Sequence, residues 1–292
     1  MPTSVKQIKF ENKTNQKSYF ELIRIEELLS RSLDHDICQN HIVNFYIIFF
    51  VLEGKGKHTI DLVDYNYAKG DVLLIRKDQI HKFSRSTKVK GYLLAFTEEF
   101  IQSHLSNLEA LKTLKIFNEF LGNPKVELRE VKSELSSFTE LVSQLDRETM
   151  FQDEYSEGIA RSLLHVIITK LFRIKAREGK LSQKTKYLEE FIAFQSMVEQ
   201  DCFKSKKVAD YASRMAVSTK TLNKIVQSIV NKSAKLFIDE ITITQIKRLL
   251  FVTNLSIKEI AFEAGFEDPA NFSNYFKKFV GESPELFRQA HQ

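Results

Sequence analysis

The stretch SIKEIAFEAGFEDPANFSNYFKKFVGESPELFR, residues 256–288, decides the fold of the C-terminal half of the chain. Apolar side chains within residues 257–261 lie three to four positions apart, which places them on one face of a short helix. Gly265 then predicts a tight turn. Asp268 followed by Pro269 predicts the start of a second helix, because aspartate caps free backbone N–H groups and proline fits the first helical position.

The predicted second helix has one aromatic face and one polar face. The aromatic residues recur at i, i+3, i+4 and i+7: Phe272, Tyr275, Phe276 and Phe279. The polar residues face outward: Asn271, Ser273, Asn274, Lys277 and Lys278. Gly281 predicts the end of this helix. A capped helix that presents amides, a hydroxyl and lysines suits the DNA major groove.

The same pattern occurs once more upstream. Before the turn, five positions match at an offset of 49 residues: Val208, Tyr211, Ala212, Ala216 and Val217 with Ile257, Ile260, Ala261, Gly265 and Phe266. After the turn, five more match at an offset of 50 residues: Ser218, Leu222, Ile225, Val226 and Ile229 with Asp268, Phe272, Tyr275, Phe276 and Phe279. The repeat predicts two helix-turn-helix motifs. A helix of roughly 15–18 residues, with an apolar face through Phe237, Ile241, Leu249 and Leu250, would join them across about 25 Å.

These residues resemble the DNA-binding domain of the AraC/XylS family of bacterial transcription regulators. The motifs that carry the resemblance are I-x-x-I-A, G-F-x-D, F-S-x-x-F-K-K, G-x-S-P and a closing F-R. The resemblance implies that the two motifs of one monomer read adjacent major grooves of double-stranded DNA. It also implies RNA polymerase as a partner.

By this resemblance the recognition helices present two sets of residues to the bases: Lys220, Asn223, Lys224 and Gln227, then Pro269, Ala270, Asn271 and Asn274. Pro269 and Ala270 offer no side-chain hydrogen bonds, so the second helix would read bases through Asn271 and Asn274. The chain departs from the family at Asn231, Thr242 and Ile246, where Gly, Arg and Ala are usual. Asn tolerates the left-handed conformation that a helix end needs.

A basic cluster surrounds the first predicted recognition helix. Residues 204–235 contain eight Lys or Arg and one acid, Asp210. Such a run is often only a solvated face, but its position here favours contact with DNA phosphates, which position a protein without conveying sequence. The predicted phosphate contacts are Lys206, Lys207, Ser218, Lys277 and Lys278.

From Phe20 to about Thr97 the pattern predicts strands. Phe45–Leu52 is a continuous apolar run typical of a buried strand. In the next predicted strand, His58, Ile60, Leu62 and Asp64 alternate with the residues between them, which places these four on one face. The runs G-K-G-K-H-T-I-D, K-G-D-V-L-L-I and Q-I-H-K-F resemble the cupin-like arm of AraC-family regulators. The predicted fold is therefore α+β with two domains, a cupin-like β-barrel with helices and an all-α double helix-turn-helix domain.

The resemblance implies an arm that senses a small molecule, mediates dimerisation, or does both. The candidate pocket residues are His58, Ile60 and His81, because ligand pockets are mostly apolar with a few polar groups. A metal site of the kind found in enzymatic cupins would need His58, Asp64 and His81. Since Ile60, Arg76 and Asp78 replace cupin motif residues, we predict no metal, no cofactor and no catalytic residue.

Between the two halves, an apolar seam has spacings of 4, 3, 4 and 3 residues: Val131, Leu135, Phe138, Val142 and Leu145. This two-heptad pattern would pack against the arm's own barrel or form a dimer interface, and the resemblance favours a homodimer. Residues 173–186, RIKAREGKLSQKTK, are predicted to be a linker because they are polar and basic around a glycine. The predicted domains are 1–172 and 187–292.

Two distant cysteines, Cys38 and Cys202, predict no disulfide framework. The start of the chain has no apolar run, and the longest apolar stretch has eight residues, too short to cross a bilayer. We therefore expect a cytoplasmic, sequence-specific DNA-binding transcription regulator whose arm responds to an effector. Two alternatives stay open: an arm that binds a protein or nothing, and a metal-dependent cupin enzyme fused to a DNA-binding domain.

Overall fold

The computed structural model describes residues 5–12, 18–30, 36–84, 88–102, 115–118, 122–130, 132–151, 153–177 and 186–291. The chain divides into two compact units. We call Lys6–Leu181 the arm, and we call Ser182–Gln292, the main part of the other unit, the helical domain.

The described part of the arm contains ten strands: β1 (Lys6–Ile8), β2 (Phe20–Arg24), β3 (His41–Val43), β4 (Tyr46–Glu53), β5 (Lys55–Ile60), β6 (Val63–Ala68), β7 (Asp71–Ile75), β8 (Ile80–Phe83), β9 (Lys90–Phe96) and β10 (Lys125–Glu127). Its α-helices are α1 (Ile25–Ser30), α2 (Glu98–Gln102), α3 (Lys132–Glu148) and α4 (Ser156–Arg177). The strands form two five-stranded sheets, in the orders β1-β3-β8-β5-β6 and β10-β7-β4-β9-β2. The first of these we call the pocket sheet and the second the central sheet.

The central sheet is buried on both faces. On β4, Ile47, Phe49 and Val51 share one core with side chains of the pocket sheet. Tyr46, Ile48 and Phe50 belong to a second core on the opposite face, against α3 and α4. Successive side chains of a strand point to opposite faces, so a strand with a core on each side must be apolar at every position. This explains the continuous apolar run and confirms the predicted buried strand.

The single strand expected from His58 to Asp64 is wrong, because the chain turns at Asp61 and Leu62. Both residues have left-handed backbone conformations, with φ of 45° and 67°. Two such residues make a hairpin turn whose twist matches the strands on either side. Gln79 Nε2 and Ile80 N donate to the Asp61 carboxylate at 2.8 and 3.2 Å and hold the turn in place.

Part of the predicted linker is helical. Helix α4 continues to Arg177, so residues 173–177 belong to the arm. The reason is packing: Ile174 and Lys175 are buried, and Lys175 Nζ donates to Ile116 O at 3.3 Å. Residues 178–185 lie outside the described residues, and the domain boundaries stay a prediction.

The helical domain contains seven helices in its described residues: α5 (Leu188–Asp201), α6 (Val208–Arg214), α7 (Thr219–Val230), α8 (Ala234–Val252), α9 (Ile257–Glu263), α10 (Pro269–Val280) and α11 (Pro284–His291). Helix α8 packs against each of the other six. We call α6–α7 the first motif and α9–α10 the second motif. This confirms the predicted double helix-turn-helix fold. Within the described part of the chain, no helix is both long enough and apolar enough to cross a membrane.

Candidate DNA interface and ligand pocket

The two motifs have the same turn. Ala216 and Gly265, 49 residues apart, both have left-handed backbones, with φ of 54° and 75°. The next residue of each turn donates back to the preceding helix: Val217 N to Ala212 O at 3.0 Å, and Phe266 N to Ala261 O at 2.9 Å. The sequence repeat therefore corresponds to two turns with the same backbone geometry.

Each recognition helix begins at a side-chain cap. In α7 the Ser218 hydroxyl accepts from Thr221 N at 3.0 Å, and in α10 the Asp268 carboxylate accepts from Ala270 N at 3.0 Å. The predicted Asp268 cap is confirmed. Ser218 is exposed as well as capping, so its contact with a phosphate stays a prediction. Asn231 ends α7 in the left-handed conformation, with φ of 57°, which is the role that glycine has in the family.

Five predicted base-reading residues have exposed side chains: Lys220, Lys224, Gln227, Asn271 and Asn274. Their helices bury the opposite faces through Leu222, Ile225, Val226 and Ile229 in α7 and through Phe272 and Phe276 in α10. The departures Thr242 and Ile246 are both fully buried on α8. They change the core of the domain and not the surface that these five residues share.

The side chain of Asn223, a predicted base reader, is hydrogen-bonded within the protein. Its Nδ2 donates to Thr219 O at 2.9 Å, and its Oδ1 accepts from Ala234 N at 2.9 Å. Ala234 is the first residue of α8, where backbone N–H groups lack partners within the helix. The Asn223 amide therefore joins the first recognition helix to the start of α8, and both of its ends are occupied by the protein.

The lysines predicted to contact phosphates differ in their exposure. Lys207, Lys277 and Lys278 are exposed, so their contact with phosphates stays a prediction. Lys206 is half-buried, its Nζ donates to Ala264 O at 2.7 Å, and the same atom lies 4.4 Å from the centroid of the Phe266 ring. Burial lowers the pKa of the Lys206 ammonium. The Lys206 ammonium therefore has its hydrogen-bond acceptor and its aromatic contact within the domain.

The arm contains a cavity of about 570 Å³. Most of its wall is apolar, including Phe45, Ile47, Phe83, Leu93 and Ala95. Three of its polar lining residues are buried: Glu21, His41 and His81. Sequence reasoning missed Glu21 and His41; the signal for His41 is its pairing with His81 across β3 and β8, which is not visible along one strand.

Of the predicted pocket residues, only His81 lines this cavity among the described residues. His58 and Ile60 lie on β5, the next strand of the pocket sheet, and are buried in the core. The His58 ring is 4.5 Å from the Phe83 ring and 5.3 Å from the His81 ring, centroid to centroid. Burial, and then the nearby His41, lower the pKa of His58 to about 3. His58 is therefore a neutral core residue behind the pocket wall.

The alternative metal set is not assembled. Asp64 pairs with Thr59 across the hairpin, so it lies on the opposite face of the sheet from His58. Its carboxylate accepts from Lys57 Nζ at 2.8 Å and from Thr59 Oγ1 at 2.7 Å, bonds that lower the pKa of Asp64. Among the described residues, no group of three or more His, Cys, Asp or Glu side chains is placed to hold a metal ion.

The predicted dimer seam packs onto its own domain. Phe138, Val142 and Leu145 on α3 are buried, and the Phe138 ring lies 4.8 Å from the Phe50 ring of the central sheet. Leu135 packs against the same core, and Val131 lies outside the described residues. A helix that packs on a sheet buries the same 4-3-4-3 stripe as a coiled-coil helix, so the spacing is compatible with both predicted alternatives, and these residues pack against the arm's own core.

Two family descriptions match the chain, an AraC-like ligand binding domain over residues 25–164 and a helix-turn-helix domain over residues 211–290. The Msm operon regulatory protein of Streptococcus mutans is 28% identical over 251 residues, which is 85% of each protein. The HTH-type transcriptional activator RhaR of Mannheimia succiniciproducens is 22% identical over 85% of this chain and 86% of its own. The structure of ToxT from Vibrio cholerae covers 94% of this chain and 98% of that chain, with 17% identity and a TM-score of 0.42. The chain belongs to the AraC family and is a DNA-binding transcription regulator with an N-terminal ligand-binding domain.

Proposed function

We propose that this regulator recognises its operator with both helix-turn-helix motifs of one monomer, in adjacent major grooves of double-stranded DNA. The observation that carries this proposal is the repeated geometry: two capped helices with exposed polar faces, joined by one helix of 19 residues. At about 1.5 Å per residue, α8 is about 28 Å long. That length approaches the ~34 Å between successive major-groove faces on one side of the duplex.

The base readers in this proposal are Lys220, Lys224, Gln227, Asn271 and Asn274. Lys207, Ser218, Lys277 and Lys278 contact phosphates. Asn223 and Lys206 are not included, because they are partly buried, both ends of the Asn223 amide are bonded within the protein, and Lys206 Nζ is bonded to Ala264 O. Because relatives such as RhaR are named transcriptional activators, RNA polymerase is a further partner of the bound complex, and the protein would act in the cytoplasm beside its DNA.

The test is selection of bound duplexes from a random library by the full-length protein and by Gln227→Ala and Asn274→Ala. Each variant should lose preference at its own base pairs, about 10 base pairs apart, by about 1–3 kcal/mol. Lys207→Ala is the control, and it should weaken all sequences alike and flatten the salt dependence. Loss of preference at the same base pairs in both variants, or at none, would contradict reading by two motifs.

The effector proposal rests on the arm cavity. Its volume falls within the ~300–1,000 Å³ of small-molecule pockets, and its apolar wall with a few buried polar groups is typical of them. Since carbonyl oxygens only accept, the 2.9 Å contact from His41 Nδ1 to Gln39 O places a proton on Nδ1. His41 lines the cavity beside His81, so this contact fixes the orientation of one ring of the cavity wall.

A ligand changes DNA affinity only if it binds two arrangements of the protein unequally. Thermal-shift screening followed by operator titration tests this, with Ala95→Leu as the variant that fills part of the cavity. A true effector should stabilise the original protein and change operator affinity, and both effects should shrink in Ala95→Leu. A compound that stabilises both proteins equally binds elsewhere. If every stabilising compound left operator affinity unchanged, an arm that binds a protein or acts constitutively would be favoured.

We propose a homodimer through a surface other than the predicted seam. Ile159 and Val166 are 44% and 42% exposed and lie on one face of α4, and Tyr155, which directly precedes the helix, is 65% exposed. Arg173 continues this face and is exposed. If a second copy packed antiparallel, Arg173 of one copy would lie over Tyr155 of the other, a favourable cation–aromatic contact. The exposed face therefore suits another copy of itself.

Sedimentation of Ile159→Lys and Val142→Lys distinguishes the two surfaces. The Ile159 variant should remain folded and become monomeric, because its side chain is exposed. The Val142 variant should lose the folded arm, because the charge enters a closed core. A dimer that survives Ile159→Lys would exclude this face.

A further inference from the structure

The segment between α5 and the first motif contacts the turn of the second motif directly, in addition to the connection of the two motifs through α8. The segment after α5 reaches the turn of the second motif, where Lys206 Nζ donates to Ala264 O at 2.7 Å. At Gly265 in that turn, an added Cβ would lie 2.0 Å from Phe203 O. The backbone of the segment before the first motif is thus in close contact with the turn of the second motif at this point, and only glycine fits.

The position of Lys206 is chemically specific. Ala264 ends α9, where carbonyl groups lack helical partners and the helix dipole is negative. An ammonium group makes a charge-assisted hydrogen bond there and also lies against the face of Phe266. Burying a charged side chain is costly without such partners. The hydrogen bond and the aromatic contact therefore stabilise Lys206 in this half-buried position.

The contact continues into the second recognition helix. The Phe266 ring lies 5.2 Å from the ring of Tyr275 on α10. Tyr275 Oη donates at 2.8 Å to Asp239 Oδ1 on α8, and Lys235 Nζ lies 2.6 Å from the same oxygen. These contacts therefore link the segment before the first motif, the second recognition helix and the connecting helix in one network.

We propose that Lys206, Gly265 and Phe266 form a clamp that fixes the distance and angle between the two recognition helices, so that one monomer accepts a single spacing of its two half-sites. Both motifs pack on α8, and the contact at Lys206 and Gly265 adds a second restraint on the angle between the two recognition helices. Holding both helices in place before binding lowers the cost of engaging two sites at once. This inference rests on the proposed reading by two motifs.

Neighbouring lysines provide a matched test in the full-length protein. Lys206→Met keeps the apolar stem and removes the ammonium, and Lys207→Met removes the same charge from an exposed position. Each protein is titrated with duplexes that carry the selected half-sites at the original spacing and with one or two base pairs inserted, over a range of salt concentrations. Lys206→Arg is the conservative variant that should restore the behaviour of the original protein.

The original protein should bind the original spacing and lose affinity with each insertion. Lys206→Met should bind the original spacing about tenfold more weakly, the loss of roughly one charge-assisted bond, and should discriminate less between spacings with an unchanged salt slope. Lys207→Met should keep the spacing preference and reduce the slope by about 0.9. A Lys206→Met protein with a reduced slope and full spacing preference would overturn the clamp and make Lys206 a phosphate contact.

Two further outcomes are decisive. If the original protein bound a single half-site as tightly as two, reading by two motifs would fail, and the clamp with it. If Lys206→Met lost its folded structure by circular dichroism, Phe266→Leu would replace it, since that variant removes the ring beneath the ammonium and keeps an apolar side chain. Unchanged spacing preference in a folded Phe266→Leu would overturn the clamp alone.

Discussion

The two helix-turn-helix motifs have one fold built from different side chains. The first buries aliphatic residues such as Leu222 and Val226, whereas the second buries the aromatic residues Phe272 and Phe276 at the matching positions. Their turns also differ, since alanine occupies the left-handed position in the first and glycine in the second. Residue spacing and turn geometry therefore determine the topology of each motif. The residues packed around each motif determine which side chains fit in its core.

The largest effect is expected at the turn of the second motif. Gly265→Ala should destabilise the helical domain by about 4 kcal/mol or more, because the new methyl group meets the Phe203 carbonyl in addition to the unfavourable φ. Gly281→Ala is the control, with φ of 94° and open space around it. It should cost only about 1–2 kcal/mol. Urea unfolding followed by circular dichroism measures both, and equal losses would show that close approach to Phe203 does not matter.

Exchanging side chains between equivalent core positions should cost nearly as much. Phe276→Val leaves a cavity in the second motif and should destabilise it by about 3 kcal/mol. Val226→Phe overfills the first motif and should cost about 1–3 kcal/mol. Both positions are fully buried. If the denaturation midpoints of both variants matched that of the original protein, the side chains of the two cores would be interchangeable. The packing around each motif would then not determine which side chains fit.

The two caps should contribute equally to stability and differently to DNA binding. Ser218→Ala and Asp268→Ala should each cost about 1 kcal/mol, the usual loss for a helix cap. Only Ser218 is also a proposed phosphate contact, so its variant should bind DNA more weakly at concentrations where both proteins are folded. Parallel thermal melts and DNA titrations check this, and equal DNA affinity for the two variants would remove Ser218 from the interface.

The smallest effect is expected for a substitution at the turn of the first motif. Ala216→Gly should stabilise the first motif by no more than about 1 kcal/mol, because relief of the left-handed strain is partly offset by the greater freedom of glycine in the unfolded chain. Ala216 is exposed, so no packing is lost. A lower unfolding midpoint for this variant would mean that the alanine methyl group contributes more than its backbone strain costs.

Local chemistry made much of the helical domain predictable. The Asp268 cap, the turn at Gly265 and the repeat at 49 and 50 residues depend on positions close together in the chain or on periodic spacing. In the arm, the continuous apolar run Phe45–Leu52 predicted a buried strand. The hairpin at Asp61 and Leu62 escaped prediction because it lacks glycine or asparagine, and bonds from Gln79 and Ile80 hold it.

The two-domain architecture, the repeated motif and the polar faces of both recognition helices could be predicted from the order of the residues, because periodicity and capping act over a few residues. Which polar groups are hydrogen-bonded within the protein depends on long-range packing, and Asn223 and Lys206 are the clearest cases. Tertiary packing also turned the stripe of Phe138 and Val142 toward the arm's own sheet and brought His41 beside His81. The type of a residue and its spacing in the chain determine which contacts its side chain can make. The partner that it does contact depends on the packing of residues far apart in the chain.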